Sequence, residues 1–370
     1  VSEPPEDRAA LAGVPPAPAL PAVRLAAASW RRAILLGVAL YGFVLALELL
    51  KQGARGLEPL LRALDVSGLA GGLGFGWLMA CVVLSGSPVA AIALTLLAAG
   101  TLTTLEAFAM IGGSRLGASF VVLAVGVLDD LRSGRTARRS AYVGVAAFVV
   151  TALVYVPALG LGYLGLERGA LLGLRFGGAD LASVVDRLWG PVTALAAERL
   201  PRLLVFLLGI AALLGAFRTF DALLPDLQHG PSPLARIGRV VYRPLPMFLA
   251  GAGVTSLTLS VSVSLSLLVP LTAKGYVRRE NVFPYILGAN VTTFIDTLFA
   301  GALVGHPDAI RVVALQMAAV SALSLPVVVL FPYAFQRLVD RIARAATASP
   351  KHLLAFVALL LLAPALLLAL

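Results

Sequence analysis

The chain has 370 residues, 59% of them hydrophobic and 13% charged, with a mean hydropathy of +0.95. Soluble domains carry about 25% charged residues, so the composition excludes a soluble globular protein and points to an integral membrane protein in a lipid bilayer. The net charge of +10 sits mainly as Arg in short loops. It bears on topology and anionic lipid rather than on nucleic acid, for which there is no aromatic-rich basic face.

Residues 1–32 begin rich in Pro and Ala, with Glu3, Glu6 and Asp7, and are expected to form a disordered leader. The first apolar run follows Arg32 and reads as a membrane span over 33–50 rather than a cleavable signal. Lys51, Arg55 and Arg62 mark an interfacial segment. A hydroxyl-bearing segment at 73–98 is interrupted by Gly86 and Pro88, a pair expected to break a helix. A span at 105–128, a polar loop from Asp129 to Arg139 and a span at 141–165 come next. Glu106 beside Thr103 and Thr104 suits a helix start; Asp129 and Asp130 read as loop charges. Residues 166–200 read as a linker with an amphipathic helix near 180–199 on the membrane surface.

The second half has spans at 202–224, 283–304 and 309–335, and a last apolar run at 352–370. Basic loops hold Arg236, Arg239 and Arg243, then Lys274, Arg278 and Arg279, then Arg337, Arg341, Arg344 and Lys351. Between the first two lies a second hydroxyl segment, 247–272, with hydroxyls at every second position: Ser256, Thr258, Ser260, Ser262, Ser264 and Ser266. Period two suggests a strand. A lone strand in lipid leaves backbone groups unpaired, so a broken or re-entrant helix lining a hydrated cavity is the better reading. Shifting the chain by 175 positions places Ser260 on Ser85, Ser262 on Ser87, Phe283 on Phe108, Ile286 on Ile111 and Gly288 on Gly113.

The predicted fold is an all-α polytopic membrane protein of seven spans, with two inverted repeats each carrying a re-entrant hydroxyl-rich hairpin. The expected units are the leader (1–32), the first repeat (33–140), a linking span and amphipathic linker (141–201), the second repeat (202–305) and C-terminal spans (306–370). With both hairpins turning back and the N-terminus cytoplasmic, the densest Arg and Lys loops fall on the cytoplasmic side of a cell membrane. Lys51, Arg55 and Arg62 are the exception.

SVSVSLSLLVPL (Ser260–Leu271) followed by FPYILGANVTTF (Phe283–Phe294) resembles the type II sodium/phosphate cotransporter family. That family carries two inverted repeats, each with a Gln-Ser-Ser-Ser hairpin and a Gly-Ala-Asn turn. Leu84–Leu94 and Met110–Phe120 are a weaker first copy. Leu84 and Leu259 stand where the family has Gln, and Arg115 stands at the first-copy position of Asn290. The resemblance implies a secondary transporter moving inorganic phosphate or a similar small anion with sodium. The alternatives are the same fold with another cargo or no sodium coupling, and a partner-binding or sensing membrane protein.

Ser85, Ser87, Ser260, Ser262 and Ser264 can line a substrate or sodium site, or can simply allow close helix packing. Asn290, Thr292 and Thr293 can present oxygens to sodium, which hard cations favour, or cap a helix. The sodium set drawn from these is Ser260, Ser262, Asn290 and Thr293. Asp296 lies inside an apolar run, where an ionisable group is functional by default. Arg115 can bind an anion through its guanidinium fork, pair with Asp296 in place of a lost ion site, or snorkel to the interface. One cysteine, Cys81, and three scattered histidines give no disulfide or metal spacing. No nucleophile–base–acid set or phosphate loop appears, so an enzyme is not expected.

Overall fold

The computed structural model describes residues 22–132, 139–173, 178–223, 244–261, 263–265, 268, 272 and 281–370. All regular structure among them is helical. Seven segments are long and apolar enough to cross a membrane: Ala33–Ala63, Thr104–Leu128, Ser140–Glu167, Arg202–Phe220, Val282–Val304, Pro307–Leu330 and Pro350–Leu368. They coincide closely with the seven spans read from the sequence and make the chain a multi-pass membrane protein.

Helix α1 (Ala22–Gly53) starts inside the segment expected to be leader, directly after Pro21. Its first turns are rich in Ala, Leu and Arg, all strong helix formers. A 3₁₀ turn (Ala54–Leu57) and α2 (Glu58–Ala63) follow. Then α3 (Gly68–Val83) and α4 (Gly86–Ala98) form a helical hairpin, and α5 (Thr104–Arg132) runs parallel to α3. At 16 and 13 residues, α3 and α4 are about 24 and 20 Å long, too short to cross a hydrocarbon core of about 30 Å. Both hairpin ends meet at Glu106. Its Oε1 accepts from Gly68 N at 3.2 Å and its Oε2 from Thr103 N at 2.8 Å, while Thr103 Oγ1 accepts from Glu106 N at 3.3 Å. This is the reciprocal capping box expected of Glu106, extended to a second helix. Glu106→Ala is expected to cost about 1–2 kcal/mol, one cap at each of two helices, read as a lower melting temperature of the solubilised protein with Glu106→Gln recovering part of it.

The hairpin tip lies halfway along α5. Gly86 abuts the Ser114 carbonyl and Ala118. The break is set by Leu84, in the left-handed region at φ 56°, and by extended Ser85; Pro88 then falls in the first turn of α4, where it is tolerated. A left-handed non-glycine residue costs about 1–2 kcal/mol, so the turn is held by its packing.

The same pattern recurs 175 residues later. Helix α9 (Pro244–Thr258) ends at Leu259, also left-handed at φ 51°, and helical turns follow from Val261. Helix α10 (Val282–Thr292) packs beside α9 as α5 does beside α3. The contacts correspond residue by residue. A Cβ on Gly76 would run into the Met110 carbonyl and one on Gly113 into that of Leu73. A Cβ on Gly251 would likewise meet the carbonyl of Tyr285, and one on Gly288 that of Phe248. Such backbone approaches are how small residues join helices in lipid.

Helix α6 (Arg139–Glu167) lies against α5. Asp130, expected as a loop charge, instead sits buried near the end of α5 and caps α6, accepting from Ser140 N at 3.1 Å and Ala141 N at 2.8 Å. Helix α7 (Gly178–Arg199) covers the whole of the expected amphipathic stretch, 180–199, and packs on α1, with the Tyr41 and Trp189 rings 5.4 Å apart. Helix α8 (Arg202–Leu223) crosses α1, α11 (Phe294–Val304) continues α10, and α12 (Pro307–Leu330) starts beside α5, where Thr104 Oγ1 donates to Asp308 Oδ2 at 3.0 Å.

The span expected over 309–335 stops at Leu330, because Phe331 precedes Pro332 and is pushed out of helical geometry. Arg337, Arg341 and Arg344, expected in a loop, stand on α13 (Pro332–Thr347). Val339 and Ala343 of that helix are buried, and Arg344 pairs with Asp340 at 3.2 Å. Helix α14 (Pro350–Leu368) closes the bundle against α3. Ser262 and the two basic loops before and after the second hydroxyl segment (Arg236, Arg239, Arg243; Lys274, Arg278, Arg279) lie outside the described residues.

Candidate functional site

Arg115 stands midway along α5, beside the tip of the first hairpin, and is 2% exposed. Across from it the chain leaves α10 at Thr293 and resumes as α11 at Phe294. That joint supplies most of the guanidinium's surroundings. Nη1 donates to Thr293 Oγ1 at 3.2 Å, and Nη2 donates to Thr297 Oγ1. Nη2 lies 3.8 Å from Asp296 Oδ1, while Cζ sits 4.9 Å from the centroid of the Phe294 ring. Thr297 Oγ1 donates in turn to Asp296 Oδ1 at 2.9 Å. Thr293 and Thr297 are one helical turn apart on a single face, so one guanidinium reaches both hydroxyls.

Asp296 is 7% exposed. The Ser87 hydroxyl, from the first turn of α4, faces its carboxylate. The ring of Phe294 stacks against Tyr155 of α6, with centroids 6.0 Å apart. Two polar atoms in this buried group make no hydrogen bond of ordinary geometry among the described residues: Arg115 Nε and Asp296 Oδ2. A buried polar group without a partner costs about 1–3 kcal/mol, and such atoms mark where a ligand can be accommodated.

The other sequence-selected residues fall around this pair. Asn290 is buried; its Nδ2 donates to Thr151 Oγ1 at 3.1 Å, and its main-chain carbonyl accepts from Tyr155 OH at 2.8 Å. Thr292 donates to the Ala252 and Gly288 carbonyls at 3.0 and 3.2 Å, so it serves the α9–α10 contact. Ser264 is bonded to Thr255 Oγ1 at 2.8 Å and to Tyr285 OH at 2.9 Å. Ser260 caps the helical turn after the second break, accepting from Val263 N at 3.3 Å. Ser85 is half-buried at the first break, its amide bonded to the Ala80 carbonyl at 3.2 Å. The structure therefore joins Ser87, Arg115, Thr293 and Asp296 into one cluster. Ser260, Ser264, Asn290 and Thr292 have their own partners elsewhere. Of the four residues assigned to sodium, Ser262 lies outside the described residues.

Thr297, Thr151 and Tyr155 complete the surroundings and were not singled out from the sequence. Thr297 had a usable signal: it follows the intramembrane Asp and shares a helix face with Thr293. Tyr155 had none beyond a phenol in an apolar span.

The second break borders a cavity that Asp296 also lines. A cavity of about 320 Å³ between α1, α8 and α11 is bounded by Thr258 and Leu259 at the second break and by Asp296. Four phenylalanines, Phe43, Phe217, Phe220 and Phe299, form its apolar wall. Ser87, just after the first break, faces Asp296, and Leu259 at the second break shares this cavity with it. No protein-family model matches the chain, and no curated protein or solved structure does.

Proposed function

We propose that the protein is a secondary transporter of a small oxyanion, inorganic phosphate being the first candidate and sodium the coupling ion. On this reading it is built like the type II sodium/phosphate cotransporters its sequence resembles, from two inverted repeats with re-entrant hairpins in a cell membrane. The observation that carries it is the buried Arg115–Asp296 pair, set beside the first helix break and next to a cavity that the second break also lines. Substrate sites in inverted-repeat transporters lie near the midplane between interrupted helices.

Support for inversion comes from the direction of the chain. The starts of α3, α5 and α12 share one end of the bundle, joined through Glu106 and through Thr104 and Asp308. Helices α10 and α11 run toward that end, because α11 leads into α12. Helix α9 is parallel to α10 and therefore starts from the opposite end, the reverse of α3. Each hairpin, too short to cross, would turn back near the middle.

Arg115 supplies the chemistry. A guanidinium fork binds phosphate or carboxylate oxygens through parallel N–H groups, most strongly where water is excluded. Asp296 is the anion that pairs with Arg115 until an oxyanion arrives. An incoming oxyanion displaces the carboxylate, and the repeats rock about the occupied centre. Sodium rests on the resemblance, with Thr293 and Asn290 as its nearest oxygen sources. One observation favours a sodium-independent variant: Arg115 occupies the position 175 residues before Asn290, so a fixed cation stands where the second half carries a neutral amide.

The test is radiolabelled phosphate uptake into proteoliposomes with and without an inward sodium gradient. Uptake is expected, and Arg115→Met is expected to reduce it at least tenfold, the scale of one lost charge-assisted hydrogen bond of about 1.5–3 kcal/mol. Sodium dependence separates the two variants. Absence of uptake of phosphate and of other small oxyanions by folded protein would return the chain to the partner-binding alternative.

A further inference from the structure

We propose that the cavity where α1, α4 and α7 end and α8 begins is a binding site for the phosphodiester head of an anionic phospholipid of the phosphatidylglycerol kind. These ends meet because α1 and α8 are antiparallel. Gly53 packs on the backbone of Arg202 and Phe206, and Gly209 on that of Leu50. Helix α7 stops at Arg199 and α4 at Ala98. Between them lies a cavity of about 560 Å³, with Lys51, Arg55, Glu198 and Arg202 on its polar side and small residues such as Ala98 and Ala194 on the other. Arg202 is also the first residue of an apolar span, so the cavity lies at the level of the lipid phosphates.

The charges select the head. Lys51 is matched by the buried Glu48, 3.6 Å away on the preceding turn. Arg55 and Arg202 are exposed and form no ion pair among the described residues. Glu198 is the one acid among the described residues on the cavity wall. Arg202 opens α8, whose N-terminal end is already positive and has no acid in its first turn. Two guanidiniums against one carboxylate leave one positive charge over. A singly charged phosphodiester balances it. A phosphate dianion overshoots, and the ammonium of a zwitterionic head restores the imbalance. Lys51 and Arg55 are also two of the three basic residues left out of the inward-positive pattern, and basic pockets between membrane helices are where anionic heads bind.

The acyl chains have a bed beneath the head. Leu203, Leu204 and Leu207 follow Arg202 on α8 and are exposed, as is Leu195 on α7. A free phosphate uses the charges and leaves this apolar face bare; a phospholipid uses both. The site does not depend on the transport reading. It lies at the helix ends, whereas Arg115 stands midway along α5.

The experiment is native mass spectrometry of the full chain, delipidated in mild detergent and titrated with phosphatidylglycerol, phosphatidylethanolamine or phosphatidylcholine of identical acyl chains. The first phosphatidylglycerol is expected to bind about fivefold more tightly than either zwitterionic lipid, the worth of one charge near the membrane surface. Arg55→Gln and Arg202→Gln, both at exposed positions, are each expected to weaken it about fivefold on the same scale. Glu198→Gln is expected to strengthen it, which no loss of structure would do. The control is the double variant Arg337→Gln, Arg341→Gln, at exposed positions of α13, and it is expected to leave the first binding event unchanged. Equal binding of the three lipids would overturn the site. So would a loss in the α13 variant as large as in Arg55→Gln and Arg202→Gln. Displacement of phosphatidylglycerol by an equal concentration of inorganic phosphate would overturn the lipid as occupant and leave a free-phosphate site.

Discussion

Gly288→Val is expected to prevent accumulation of folded protein, and Gly113→Val to do the same, while Gly253→Ala is expected to be silent. The first two glycines face backbone. The space a Cβ would take at Gly288 is occupied by the Phe248 carbonyl and the Ala252 amide nitrogen, and at Gly113 by the Leu73 carbonyl and the Trp77 amide nitrogen. A backbone neighbour cannot rotate away as a side chain can. The helices must separate, and the contacts around Gly251 and Gly76 separate with them. Overpacking ordinarily costs about 1–3 kcal/mol and more where nothing yields. Against a total stability of about 5–15 kcal/mol, the upper end is severe. Gly253, on the same helix as Gly251, has no atom within 4 Å of its missing Cβ. The comparison separates helix propensity from helix contact. Folded yield by size-exclusion chromatography in mild detergent is the measurement. Normal yield of Gly288→Val would mean that α9 and α10 do not cross this closely.

The second large effect concerns the buried pair. Asp296→Leu alone leaves the Arg115 guanidinium with two threonine hydroxyls and a ring face, but no counter-charge. Removing one member of a buried pair costs about 3–5 kcal/mol. The double variant Arg115→Met, Asp296→Leu replaces both by apolar groups of similar volume, which is often neutral or stabilising. The expected order of melting temperatures is therefore wild type and double variant together, with Asp296→Leu well below. Transport, measured on the same preparations, is expected to be absent from both variants. An Asp296→Leu protein as stable as wild type would show that the two groups are not a pair in the membrane.

Composition and hydropathy were enough to place the seven spans, because each is a long apolar run whose length must match the bilayer. That both hydroxyl segments are broken was legible from hydroxyl spacing and from the recurrence at 175, though the first break lies at Leu84 and Ser85, just before the expected Gly86 and Pro88; Arg115 with Asp296 was legible from being charged where charge is rare. Other features required neighbours that no local pattern encodes. Asp130 reads as a loop acid until α6 turns back over it and presents two free amides. Arg337, Arg341 and Arg344 read as loop because they break the apolar run. They are three polar positions of a helix whose other face, at Val339 and Ala343, is buried. The hydroxyls of Ser260 and Ser264 look alike in sequence. Packing makes one a cap and the other a partner of Thr255 and Tyr285.

The correspondence between the two halves stops at the buried pair. The position 175 residues before Asn290 holds Arg115, and the one 175 residues before Asp296 holds Val121. The backbone contacts at Gly76 and Gly113 match those at Gly251 and Gly288, whereas the centre has one cation from the first half and one carboxylate from the second. A packing that is nearly the same in both halves thus encloses a dipole that points from one half to the other.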